Sequence, residues 1–117
     1  KICSDAGTLT GSIGVVSMIP DFSKTIKDIA KVNITYVNTN THSDMMSLTR
    51  PLDDEETAYM QASVERIYDK FTSIVSEGRK LEKDYVDSIA QGRVWAGSEA
   101  IEIGLVDDIG SLRDAVR

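Results

Sequence analysis

Thr8-Leu9-Thr10-Gly11-Ser12-Ile13-Gly14-Val15-Val16 opens as a polar, glycine-punctuated turn and closes as an apolar run. Gly11 and Gly14 permit a positive φ or a close backbone approach that a branched residue resists. Thr8, Thr10 and Ser12 carry hydroxyls that can bond to backbone or to a charged neighbour. Ile13, Val15, Val16 and Met18 then predict a buried strand. Pro20, which cannot donate to a sheet ladder, ends it. A hydroxyl-rich loop feeding a core strand is a place where α/β proteins hold reactive groups.

Downstream, Asp21 and Ser23 are candidate N-caps for a short helix whose Phe22, Ile26 and Ile29 share one face. Val32, Ile34 and Tyr36 alternate with Asn33, Thr35 and Val37, the period of a strand. Strand, helix and strand in this order predict a compact βαβ unit with a right-handed crossover. Upstream, Lys1 to Asp5 reads as a short strand end and Asp5-Ala6-Gly7 as a turn.

Asn38 to Thr49 is polar, and is the segment best suited to a site-forming loop. Asp53 and Glu56 then form a capping box, and the acidic run at residues 53–56 complements the positive end of a helix dipole. That role accounts for these carboxylates without a metal. The helix is predicted over about Glu55 to Glu77, with Met60, Val64, Ile67, Phe71 and Ile74 as its apolar stripe and Gly78 as its C-cap. A second helix with Leu81, Tyr85, Val86 and Ile89 inward ends at Gly92. Arg93-Val94-Trp95 is a short strand, Ser98 caps a short helix, and Ser111 with Asp114 starts a terminal one.

The chain has 117 residues, with 19 acidic against 13 basic, for a net charge of -6. Scattered basic residues and an acidic excess argue against a nucleic-acid surface. A lone Cys3 forms no internal disulfide and reads as a small apolar residue. The sequence has no apolar run of membrane-spanning length and no signal peptide, and it opens on Lys1-Ile2-Cys3 rather than on Met, which reads as a fragment or a processed product. Ser4, Ser12, Ser17 and Ser43 are candidate hydroxyl nucleophiles, but none lies in a Gly-x-Ser-x-Gly elbow. His42, the single histidine, reads as a solvent-facing loop residue rather than a base for serine. No Cys/His cluster has metal spacing, and Gly11-Ser12-Ile13-Gly14 lacks the Lys-Ser/Thr of a phosphate loop. No cofactor is expected, and residue chemistry by itself demonstrates no catalytic site.

Two motifs carry a resemblance. Thr8 to Val15, and Gly92-Arg93-Val94-Trp95-Ala96-Gly97 followed by Ala100, Gly104-Leu105-Val106-Asp107 and Ile109-Gly110, resemble the signal peptide peptidase A (protease IV) family of bacterial serine peptidases. Arg50-Pro51-Leu52 and the acidic helix start fit it as well. The resemblance covers nearly the whole chain. It implies an α/β fold, part of a ClpP/crotonase-like superfold of βαβ units with a long amphipathic helix. It also implies hydrolysis of peptides left after signal-peptide cleavage, by a serine nucleophile with a lysine base.

The family's nucleophile lies in a Ser-Gly-Gly segment ahead of the Thr-Gly-Ser motif, so residues 1–117 are expected to be the C-terminal portion of a peptidase domain, inactive alone. In short members the base is a lysine before an aspartate. Ser43-Asp44 stands there in this chain, which resembles the C-terminal repeat of a long, two-repeat member. Ser12 matches a family serine that helps orient the lysine; a turn hydroxyl bonded to backbone is the equal alternative. The expected partners are a peptide substrate and further copies of the chain. Membrane attachment would come through parts outside it, at the inner membrane of a bacterial envelope with the catalytic domain on the extracytoplasmic side. A non-catalytic oligomerisation repeat is the alternative function. A crotonase-like acyl-CoA enzyme shares the superfold but not the Gly-Arg-Val-Trp-Ala-Gly motif.

Overall fold

The computed structural model describes residues 1–116. The chain divides into two units, residues 1–15 with 65–117 and residues 16–64, and the boundary falls within one long helix.

The first unit is built on two short sheets. Strand β1 (Cys3–Ser4) pairs in parallel with β4 (Asp108–Ile109). Strand β2 (Leu9–Gly11) pairs antiparallel with β3 (Val94–Ala96), in the register Leu9↔Ala96, Thr10↔Trp95 and Gly11↔Val94. Between these segments lie α1 (Asp54–Arg79), α2 (Lys83–Ile89) and α3 (Gly97–Glu102), and α4 (Leu112–Val116) follows β4. Ile13, Ile89, Ala90, Ala100, Leu105 and Val106 form the core, with Tyr68, Phe71, Val75, Trp95 and Ile103 packed against it.

The expected βαβ unit does not form. Residues 13–19 and 32–37 belong to no helix and carry no ladder. The ladder lies one step earlier, in the hydroxyl-rich Leu9–Gly11. Gly11 (φ 106) and Ser12 (φ 60) then take left-handed conformations, which turn the chain off the line of β2. Ile13 is buried, whereas Val16 is 90% and Met18 87% exposed. Alternation reports what a strand would bury against a partner, and a strand without one has no stability of its own.

The second unit also departs from expectation at its short helix. This is a π-type turn over Thr25–Ile29 with no buried residue, preceded by Asp21 accepting from the Ser23 N–H.

α1 runs longer than predicted, and the predicted stripe is borne out only in part: Met60, Val64 and Phe71 are partly buried. Tyr68, Phe71 and Val75 pack on the core, while Ile67 and Ile74 are exposed. The buried Thr72 belongs to the same face because its hydroxyl donates to the carbonyls of Tyr68 and Asp69. Tyr68 belongs there because its hydroxyl reaches Asp87 at 2.6 Å. Apolarity alone finds Phe71 but passes over Tyr68 and Thr72.

Gly78 does not cap the helix. Lys80 (φ 54) takes the left-handed position past the end, and the Leu81 N–H donates to the Ser76 carbonyl at 3.0 Å, the wide bond of a Schellman turn. Gly78 therefore sits inside the last turn, with open space where a Cβ would go. Gly78→Ala is expected to stabilise the first unit by about 0.5–1 kcal/mol, read as a raised Tm; a fall in Tm would count against this placement.

Ser98 does not cap α3 either. Glu99 accepts from the Ala96 N–H instead, and Ser98 N–H donates to the Ala6 carbonyl. The caps at Ser111/Asp114 and Asp53/Glu56 form as predicted.

Candidate functional site

The two motifs read as separate in the sequence pair with each other in the first unit. β2 comes from Thr8–Val15 and β3 from Gly92–Gly97. The contact continues past the ladder: Ser12 N–H donates to the Arg93 carbonyl at 2.8 Å, and Gly92 N–H to the Ile13 carbonyl at 3.0 Å.

Glycine is needed at two of these crossings. A Cβ on Gly14 would lie 2.7 Å from the backbone of Gly92, and one on Gly97 would lie 2.1 Å from the Asp5 carbonyl oxygen. Trp95 anchors the seam by donating from Nε1 to the Ile89 carbonyl at 3.0 Å. Asp107 ties the last motif to β1. It accepts from the Ile2 N–H and from both terminal nitrogens of Arg79, and the Arg79 guanidinium holds its carboxyl well below the usual range.

Ser12 sits at the bend that closes this seam. Its backbone is the bonded part, and the residue is exposed. Ser4 is buried in β1, with its hydroxyl 3.4 Å from that of Thr10. Beside them is a cleft of about 410 Å³, lined by Cys3, Ser4, Thr8, Thr10, Val106 and Leu112 among others. It offers hydroxyls; among the described residues no histidine or lysine lines it.

Ser43 lies in the second unit, exposed, with its hydroxyl donating to the Asn40 carbonyl. Both its neighbours are tied to the start of α1. Arg50 forks between two carboxylates. Its Nε and Nη2 reach Asp44 at 2.8 and 2.7 Å, and its Nη1 and Nη2 reach Glu56 at 2.7 and 2.6 Å. Glu56 is 1% exposed and also accepts from the Asp53 N–H. The Arg50 hydrogen bonds hold its carboxyl at about 2 and that of Asp44 below its ordinary value.

His42 is the solvent-facing loop residue expected, but it is not without partners. It is partly exposed, but Nδ1 lies 3.3 Å from Glu56 and Nε2 3.2 Å from Glu55. Its nitrogens thus face carboxylates rather than a serine. The Glu56 hydrogen bond raises its pKa above the ordinary value, against the opposing effect of burial. Ligand atoms of His42, Asp53 and Glu56 all lie within 4.8 Å of one another, a cation-sized arrangement that the capping-box reading did not foresee. Arg50 escaped the sequence reading as well. It was visible only as the first residue of Arg50-Pro51-Leu52, and its acidic partners six residues to either side follow no helical or strand period.

Residues 1–117 match peptidase family S49 from end to end. The chain belongs to peptidase family S49. Among similar family proteins, Protease 4 of Haemophilus influenzae is 45% identical over 98% of this chain and 18% of its own length. A putative signal peptide peptidase SppA of Enterococcus faecium is 35% identical over 99% of the chain and 33% of its own length. The chloroplastic serine protease SPPA of Arabidopsis thaliana is 33% identical over 93% of the chain and 16% of its own length. The chain thus spans a third or less of these S49 relatives. Among the described residues no helix is long and apolar enough to cross a membrane.

Proposed function

We propose that this chain is the C-terminal portion of an S49 serine endopeptidase that degrades cleaved signal peptides at a bacterial envelope. It would form part of a ClpP/crotonase-like fold and supply the scaffold around a serine-lysine pair. The observation that carries this reading is the pairing of the two motifs, Leu9–Gly11 against Val94–Ala96, in a chain that matches the family throughout.

The nucleophile would come from a Ser-Gly-Gly segment outside residues 1–117. With Ser43 at the lysine position of short members, the base would come from another repeat. The exposed Ser12 hydroxyl at the bend would help orient that lysine. The substrate class is peptide.

The test compares two proteins on casein and a peptide ester: residues 1–117 alone, and the chain with whatever its gene encodes before Lys1. The longer protein is expected to turn over substrate and to lose that activity to a serine-directed acylating reagent, while residues 1–117 do nothing. Turnover by residues 1–117 that the same reagent blocks would overturn the assignment.

A non-catalytic assembly repeat is the second reading. Val16, Met18 and Val37, at 90, 87 and 94% exposed, favour a surface that associates with further copies. An inactive longer protein that still forms oligomers by light scattering would favour it.

A further inference from the structure

We propose that His42 is a proton-operated latch that fastens the loop of residues 38–50 to the start of α1. This stands apart from the peptidase reading. Both faces of the imidazole edge meet carboxylates. Nδ1 lies 3.3 Å from Glu56 Oε1 and 3.7 Å from Asp53 Oδ2, and Nε2 lies 3.2 Å from Glu55 Oε2. A neutral imidazole has one N–H and one lone pair. Whichever tautomer forms, its lone pair confronts a carboxylate oxygen. Only the imidazolium donates on both sides.

The surrounding charges decide which partner moves. Asp53, Glu55 and Glu56 face the ring from the helix start. Asp44 and Arg50 belong to its own loop, and Tyr59 and Met45 complete the wall of a cleft of about 450 Å³. Glu56 is buried and already held by Arg50 and the Asp53 N–H. Loss of the proton from His42 therefore leaves the helix cap paired and weakens the hold on the loop at His42.

The loop is pinned at two places, His42 and Asp44, and Ser43 lies between them. Releasing the first pin loosens the segment that presents Ser43. A divalent cation on the same atoms would share Glu56 Oε1 with an Arg50 nitrogen already 2.6 Å away. The guanidinium's charge favours a proton on the ring over a metal.

The sign follows from the raised His42 pKa. The latch is closed below the ordinary histidine value and opens as pH rises through the raised one.

Because the chain has a single histidine, one ring signal in an NMR titration reports the latch, and amide exchange over residues 38–50 reports the loop. In the full chain, His42 should titrate above 6.5. Loop protection factors should be several-fold higher at about pH 6 than at about pH 8. His42→Gln should remove that pH dependence and hold the loop at its less protected level. Glu55→Gln, at an exposed position, should leave the fold intact and lower the His42 midpoint, so a failure of the first variant to fold does not spare the proposal. A midpoint at or below 6.5, a loop whose protection ignores pH, or the same pH dependence in His42→Gln would overturn it. So would restoration of protection at about pH 8 by zinc ion, which would make the cluster a metal site.

Discussion

A chain carrying Gly97→Ala is expected to lose a large share of the stability of its first unit. The added Cβ would lie 2.1 Å from the Asp5 carbonyl oxygen, 3.0 Å from the Asp5 carbonyl carbon and 2.8 Å from Ser4 Oγ. Two of these contacts are backbone atoms, so no rotamer change relieves them. β1 must move away from α3. That strains the Ser98–Ala6 hydrogen bond and the β1–β4 pairing together. Overpacking of this kind costs about 3 kcal/mol, a large share of the about 5–15 kcal/mol that holds a domain folded. Thermal unfolding followed by circular dichroism checks it, with Gly78→Ala as the matched control at an open site. A Tm within experimental error of the parent would show that Gly97 is not a close-approach position.

The second large effect is expected at Arg50. Arg50→Ala leaves the Asp44 and Glu56 carboxylates facing each other without the fork that satisfied both, and Glu56 cannot reach water in its place. Leaving a buried charge without its partner is among the costliest single changes. A fall in Tm on the order of 10 °C is expected near neutral pH. Arg50→Lys keeps the charge but not the bidentate geometry, and should recover only part of the loss.

The pH dependence gives this prediction its sign. Glu56 is held at about 2, first of all by Arg50, below the about 4.3 of an unfolded glutamate. Its pairing therefore contributes fully above that unfolded value and is lost as pH falls through it toward about 2. The gap in Tm between parent and Arg50→Ala should narrow over that window. A gap that stays constant with pH would mean that the cost of the substitution is lost packing rather than lost pairing.

What was legible in the residues was what they do to near neighbours. Asp53 and Glu56 lie one helical turn apart, so their reciprocal bonds could be read from spacing, and so could the Asp114 carboxylate's acceptance from the Ser111 N–H and hydroxyl. Val86 and Ile89 of α2 and the apolar Leu105-Val106 were also clear, because burial needs only their hydrophobicity, whereas Tyr85, read as inward, is exposed.

Pairing was not legible. Whether Leu9–Gly11 or Ile13–Met18 becomes the strand depends on where β3 lies, and nothing within residues 8–18 encodes that. The hydroxyls of Thr8, Thr10 and Ser12 suggested chemistry, whereas much of the stretch is a strand and its bend. In the second unit, Arg50 was hidden because its partners are set by the path of a loop. His42 is the solvent-facing loop residue that its polar neighbours suggested, but its carboxylate partners at the helix start lie 13 and 14 residues away and could not be read from spacing. Family resemblance reached further than spacing because it compares whole arrangements, and both of its motifs lie on one seam.

The pairing of β1 with β4 governs when the first unit can close. The Ile2 N–H finds its acceptor on Asp107, 105 residues along the chain. On a ribosome that partner leaves the exit tunnel long after Cys3 and Ser4 have been made. α1 can form early from local contacts, but the β1–β4 pair must wait for residues 108 and 109. Until then Ile2 and its neighbours stay open to unwanted strand partners, which makes the interval of synthesis, rather than the finished fold, the stage most exposed to misassembly.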